Sequence, residues 1–197
     1  MAKKKMANTI VNMALSLFIV ASVAAVALAS VYNATKGPIE NVKKQKIIDA
    51  LGSVLPDFDG EPVRVAVLPY DGGKDSLILY YAYKGDSLAG IAVETYSNMG
   101  FTEQIKIMVG FKPDFSINNT AVLAHKETPG LGDKMDASKS DFPLQFIDKN
   151  PAEFDLRVTK DGGQADAITA ATITSRAFCD AVDRAYKTLV SLKDKEE

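Results

Sequence analysis

The chain of 197 residues has one cysteine (Cys179), one histidine (His125) and no tryptophan. A single cysteine excludes an intrachain disulfide framework. One histidine and one cysteine also argue against a zinc or iron–sulfur centre built by the protein, which takes several nitrogen or sulfur ligands. A carboxylate-rich Ca²⁺ or Mg²⁺ site stays open, although no D-x-[DN]-x-[DN]-G loop occurs. No Ser-His-Asp set, H-E-x-x-H, Walker or G-x-G-x-x-G signature is present, so hydrolase and nucleotide-fold readings lack support. His125 alone, beside a turn, reads as a structural hydrogen-bonder rather than a base. Cys179 falls on the apolar side of the last helical pattern and reads as buried and inert.

Charge is scarce at the N-terminus. The first 32 residues carry only Lys3, Lys4 and Lys5; with a whole-chain charge of −2, the remainder stands at −5. An acidic body does not suggest nucleic-acid binding. Residues 9–32 carry no charge and are rich in Val, Leu, Ile and Ala. About 20 such residues span a hydrocarbon core of about 30 Å. Tyr32 stands where an interfacial aromatic belongs, and the three lysines favour a cytoplasmic tail at 1–8. The expectation is a single-pass anchor in the inner (cytoplasmic) membrane with the body on the extracytoplasmic, periplasmic side. Lys36, Lys43, Lys44 and Lys46 follow on the far side and weaken that orientation signal. A cleaved signal peptide, with Ala27-Leu28-Ala29 at its cleavage site, is the competing reading, and it also exports the body. Length favours the anchor.

Beyond the anchor, Thr35-Lys36-Gly37-Pro38 predicts a helix break. Residues 39–55 read as a second helix, inside a linker at 33–60. A body at 61–193 and a charged tail at 194–197 complete the chain. Strand patterns occur at 63–68, 77–83, 88–96, 104–111 and 120–125, with a later candidate at 154–159. Lys84-Gly85-Asp86 is a tight turn, and Tyr80, Tyr81 and Tyr83 read as sheet packing. Ile173, Ala177, Phe178, Ala181, Val182, Ala185, Tyr186 and Leu189 recur at helical spacing. The fold class expected is α+β: an N-terminal transmembrane helix, then a mainly antiparallel sheet packed with helices.

Two segments carry chemistry. His125-Lys126-Glu127-Thr128-Pro129-Gly130-Leu131-Gly132 follows a strand directly. Its glycines permit positive φ and close backbone approach, so it can border a flat ligand; an ordinary strand-ending turn explains the same residues. Asp166-Ala167-Ile168-Thr169-Ala170-Ala171-Thr172-Ile173-Thr174-Ser175 precedes the last helical run. One hydroxyl would serve as an N-cap, yet four are present. A helix N-terminus with unpaired N–H groups favours phosphate, and the alanines leave room around Thr172.

H-K-E-T-P-G-L-G at 125–132 and D-A-I-T-A-A-T at 166–172, in that order behind an anchor, together resemble the FMN-binding domain family. That family serves Rnf-type ion-translocating electron-transport complexes and sodium-translocating NADH:quinone reductases. The resemblance spans the whole chain, and its compact length is closer to the Rnf-type members. It implies FMN attached by a phosphoester to the last threonine of the second motif, Thr172, with Asp166, Thr169 and Ala171 as motif partners. It implies a flavin lined by Thr128, Pro129, Gly130, Leu131 and Gly132, with Glu127 adjacent. Ala170 departs from the pattern, in which glycine is common. The implied role is an electron-carrier subunit that is not catalytic alone, linking NADH and ferredoxin oxidation–reduction to ion transport. The implied partners are the other membrane subunits and a flavin transferase. A tether would keep the cofactor from being lost outside the cytoplasm, while pocket contacts tune the ring. An anchored extracytoplasmic binding or assembly module without flavin is the alternative of a different class.

Overall fold

The computed structural model describes residues 10–196. The expected cytoplasmic tail at 1–8 and residue 9 lie outside the described residues, as does residue 197 at the end of the charged tail. The chain forms two compact units, residues 1–45 and 46–197.

The first unit contributes most of α1, Ile10–Val54. Its apolar part has a window of mean hydropathy 2.4 with no buried residues, and it is long and apolar enough to cross a membrane. Apart from the half-buried Asn12 and Ser22, the side chains from Ile10 to Tyr32 are exposed. A helix apolar on every side finds its solvent in lipid or a protein interior.

The break expected at 35–38 does not occur, because α1 runs through Pro38. Proline removes one N–H donor and crowds the carbonyl four residues back, at about 3 kcal/mol. Starting a fresh helix instead requires another unfavourable nucleus. Thr35 joins the helix rather than ending it, since its hydroxyl donates to the Val31 and Tyr32 carbonyls at 2.9 and 3.3 Å.

The second unit is built on a five-stranded antiparallel meander in chain order. Its strands are β1 (Asp59–Val67), β2 (Leu77–Lys84), β3 (Ser87–Ser97), β4 (Ile105–Phe111) and β5 (Ile117–Ala124). The β2–β3 turn uses Gly85 at φ +58°. Period-two alternation assigns the faces. Leu77, Leu79, Ile91, Val93, Ile105, Ile107, Val109 and Phe111 face the main core beneath the closing helix α2, Thr172–Glu196. Ala177, Phe178, Ala181, Val182, Ala185 and Leu189 supply the helix side of that core. Tyr80, Ala82, Ala92 and Met108 face the opposite way, onto Ala50, Leu51, Val54 and Leu55. The α2-side core also holds Phe142, Phe146 and Phe178, with ring centroids 5.3–5.6 Å apart.

The end of α1 is therefore a second cover on the sheet. Asn118 and Asn119 donate side-chain hydrogen bonds to the carbonyls of Val54 and Ser53 at 2.9 and 3.0 Å. These satisfy carbonyls that a helix end leaves without partners. The contact requires Gly110, where a Cβ would lie 1.9 Å from the Val54 carbonyl oxygen.

The strand expected at 154–159 is absent. Leu156 and Val158 are buried in alternation, as expected of a strand, but no ladder forms. One parallel bridge joins Val158 to Ala165. The segment folds back on residues 163–165: the Gln164 and Ala165 N–H groups donate to the Asp155 and Arg157 carbonyls at 3.0 and 3.1 Å, while the Asp155 and Arg157 N–H groups donate to the side chains of Gln164 and Asp155. A 3-10 turn follows at Thr159–Asp161.

Gly110→Ala is expected to push the end of α1 off the sheet. Overpacking of this kind destabilises by about 1–3 kcal/mol. Thermal melting of the detergent-solubilised full chain should register a loss of roughly 3–10 °C; an unchanged melting temperature would contradict the packing.

Candidate functional site

The first motif leaves β5 and turns sharply. The His125 ring accepts the Glu127 N–H through Nδ1 at 3.1 Å, a structural role. The Leu131 N–H donates to the Thr128 carbonyl at 3.1 Å, closing a β-turn. Pro129 in the second position and Gly130 at φ +78° in the third give the type II arrangement. Gly132 has a different reason to be glycine. A Cβ there would lie 2.7 Å from Glu127 and 2.7 Å from the Thr174 hydroxyl.

The second motif sorts its hydroxyls by environment. Ser175 is fully buried and works on the backbone: its oxygen accepts the Ile168 N–H at 2.9 Å and its proton goes to the Ala171 carbonyl at 3.0 Å. Thr174 is 2 % exposed and donates to the Glu127 carboxylate at 2.5 Å. Glu127, itself 5 % exposed, also accepts the Thr102 N–H at 3.3 Å. Thr169 is exposed. Thr172 is half-buried at the first position of α2, and its oxygen accepts a hydrogen bond from Lys160 at 3.2 Å.

The two motifs meet in a cavity of about 310 Å³. Glu127, Thr128, Leu131 and Gly132 form one side; Ala170, Ala171, Thr172, Ile173 and Thr174 form the other; Phe101 completes the rim. Phe101, Leu131 and Ile173 are exposed apolar side chains here. Of the residues expected at the site, Glu127, Thr128, Leu131, Gly132, Ala171 and Thr172 are thus brought together. Pro129 and Gly130 lie on the exposed turn, outside the lining. Asp166 and Thr169 border a separate concavity with Lys134 and Gln145. Gln145 brackets the Asp166 backbone, accepting its N–H at 2.7 Å and donating to its carbonyl at 3.1 Å.

Sequence reasoning missed Phe101 and Ile173 in the lining, and Lys160, which reaches Thr172 from outside it. Phe101 comes from the β3–β4 connection and has no sequence link to either motif. Lys160 precedes Asp161-Gly162-Gly163, a turn signal that marks the loop but not what its lysine reaches.

A larger cleft of about 450 Å³ runs beside α2, with Met99, Leu156, Val158 and Cys179 among its lining. Its four carboxylates already have cations: Asp155 with Arg157, Asp161 with Arg176, Asp180 with Arg184 and Asp183 with Lys187. No serine or threonine lines it. The smaller cavity is the chemically equipped one. Burial pushes the Cys179 thiol up to about 12, which fits an inert core cysteine.

Ala170 has φ +63°. That left-handed backbone is the physical reason for glycine in the motif pattern, because a Cβ there meets the following carbonyl oxygen.

Residues 100–187, which hold both motifs and the cavity between them, match the family model for the FMN-binding domain. The chain is 36 % identical over 189 residues to the G subunit of the ion-translocating oxidoreductase complex of Aliivibrio fischeri, covering 90 % of this chain and 89 % of the relative. The corresponding protein of Vibrio cholerae is 34 % identical over 181 residues, covering 88 % and 86 %. That of Shewanella baltica is 35 % identical over 167 residues, covering 80 % and 79 %. The chain belongs to the family formed by the G subunits of ion-translocating oxidoreductase complexes.

Two outcomes follow from this local structure. Ala170→Gly relieves left-handed strain of about 1–2 kcal/mol, partly offset by the greater freedom of glycine in the unfolded chain. A melting temperature raised by roughly 2–4 °C is expected. Cys179 should resist alkylation in the native protein at pH 8, where a thiol at about 12 is almost wholly protonated, and react only after denaturation. Rapid native labelling would contradict its burial.

Proposed function

We propose that this chain is a membrane-anchored flavoprotein subunit carrying FMN in phosphoester linkage on Thr172. It passes electrons inside an Rnf-type complex that couples NADH and ferredoxin oxidation–reduction to ion translocation. The observation that carries this reading is the cavity itself. Thr172 lines it, faces the T-P-G-L-G side and, of the two motif hydroxyls in its wall, is the one whose proton is not committed to a buried partner. The names of the relatives supply the complex. The apolar span of α1 supports the anchor, and the lysines at 3–5 favour the cytoplasmic membrane with the body outside.

The residues fit the cofactor. A cavity of about 310 Å³ is at the lower end of the usual ligand-site range of about 300–1,000 Å³, and its open rim leaves room for a ring to extend. Gly132 lets the first motif close over Glu127 and Thr174, which sets the wall of the cavity opposite Thr172. The first N–H groups of α2 and the Lys160 ammonium suit a phosphate. When bound, FMN supplies the electron chemistry, which the protein lacks side chains to perform.

The chain's own residues hold and shield. Thr172 Oγ1 bears the phosphate. Leu131, Ile173 and Phe101 offer apolar surface for the ring and exclude water at its edge. Thr128 and the adjacent backbone border the polar side. Glu127, locked by Thr174 and the Thr102 N–H, fixes the floor between the motifs. Maturation calls for a flavin transferase, and function calls for the other membrane subunits.

The test is a denaturing gel of the full chain co-expressed with a flavin transferase. Flavin fluorescence should stay in the wild-type band and vanish in Thr172→Ala. A fluorescent Thr172→Ala band would sink the assignment. A dark wild-type band, with a known acceptor flavinylated in the same cells, would favour a flavin-free module.

A further inference from the structure

We infer that Lys160 is the phosphate-receiving cation of this site, engaging the Thr172 oxygen during flavin attachment and pairing with the phosphodiester afterwards. The inference rests on Thr172 as the attachment point and deepens that reading.

Lys160 is held in place by its loop. It sits in the 3-10 turn Thr159–Asp161. The Val158–Ala165 bridge and a 2.8 Å bond from the Thr159 N–H to the Ala165 carbonyl close the loop base. Gly162 takes φ +82°, and Gly163 packs so closely that a Cβ would lie 2.0 Å from the Arg157 carbonyl oxygen. Asp161 then fastens the turn to α2 through two bonds to Arg176, each 2.7 Å. Arg176 lies one turn beyond Thr172, so this clamp sets Lys160 beside the start of the helix.

The charge pattern makes Lys160 the available cation. Arg157 is engaged by Asp155 and Arg176 by Asp161. Among the described residues, Lys160 forms no salt bridge, and its ammonium donates to Thr172 Oγ1 at 3.2 Å. A hydroxyl that accepts from an ammonium has its own proton left to give away.

Attachment forms a bond from Thr172 Oγ1 to the flavin-side phosphorus of a flavin dinucleotide. The pyrophosphate P–O bond breaks, adenylate leaves, and the hydroxyl proton passes to the transferase or solvent. No redox change occurs. Negative charge gathers on the attacking oxygen and phosphoryl group and remains on the diester. A cation already at Oγ1 favours both the transition state and the product. Lysine suits this task as a compact point charge for phosphate.

The experiment incubates flavin-free full chain in detergent with transferase and FAD and follows the added mass by intact-protein mass spectrometry. Lys160→Gln should lower kcat for attachment about tenfold or more, with KM for the acceptor chain unchanged. Lys160→Arg, which keeps a cation, should stay within about threefold of wild type, and Lys160→Glu should be slower than Lys160→Gln. Melting temperatures of the unmodified variants should match wild type, because Lys160 is exposed. Attachment to Lys160→Gln at the wild-type kcat would overturn the inference. So would a loss confined to KM, which signals transferase docking, or an arginine variant as slow as the glutamine one. Flavin on Thr172→Ala would remove the attachment reading and Lys160 with it. An inert Thr172→Ala beside a normal Lys160→Gln would remove Lys160 alone.

Discussion

A buried carboxylate holds the two motifs together. Glu127 arrives from the strand-ending loop and Thr174 from the first turn of α2, 47 residues later, and they meet at 2.5 Å with almost no solvent contact. A carboxylate so buried must have donors, because an unsatisfied charge inside a protein is far more costly than a surface one. The Thr174 hydroxyl and the Thr102 N–H supply them. Gly132 follows from the same constraint, since the loop can close over this pair only without a Cβ. The cavity is the space left between two segments pinned at that point.

The sheet was legible in the sequence because its signal is local. Leu77 and Leu79 alternate with Ile78 and Tyr80, and the two sets go to opposite faces. The α2 periodicity and the Gly85 turn were legible for the same reason. The continuity of α1 was not, because a proline penalty at Pro38 must be weighed against a second nucleation. Residues 154–159 show the reverse error. Their alternation is real, but the only neighbour among the described residues is the short return at residues 163–165, which gives one bridge before the chain turns, and sequence pattern is blind to that. Lys160 and Phe101 reach the site through contacts that no spacing rule connects.

The glycines and Ala170 show how backbone conformation and close packing select residues at this site. Gly130 needs positive φ, Gly132 needs bareness, and Gly110 needs an open sheet surface for the end of α1. Ala170 occupies a left-handed position with a methyl group, so the second motif stores strain next to its most exposed hydroxyls. The fold over-determines that bend through Ser175, whose hydroxyl ties Ile168 to the start of α2 and leaves little freedom for the residues between.

The same hydrogen bonds favour Thr172 over its neighbours. A hydroxyl that takes a phosphoryl group must release its proton and present its oxygen to a large reagent. Thr174 cannot do so without stripping Glu127 of one of its two donors in a dry interior, and Ser175 cannot without freeing two backbone groups. Thr169 is accessible, but it borders the other concavity, away from the T-P-G-L-G loop. Thr172 alone in the motif combines an uncommitted proton, a cation at its oxygen and a place in the cavity wall. Its attachment would leave the buried hydrogen bonds intact, so the domain can fold first and receive its cofactor afterwards.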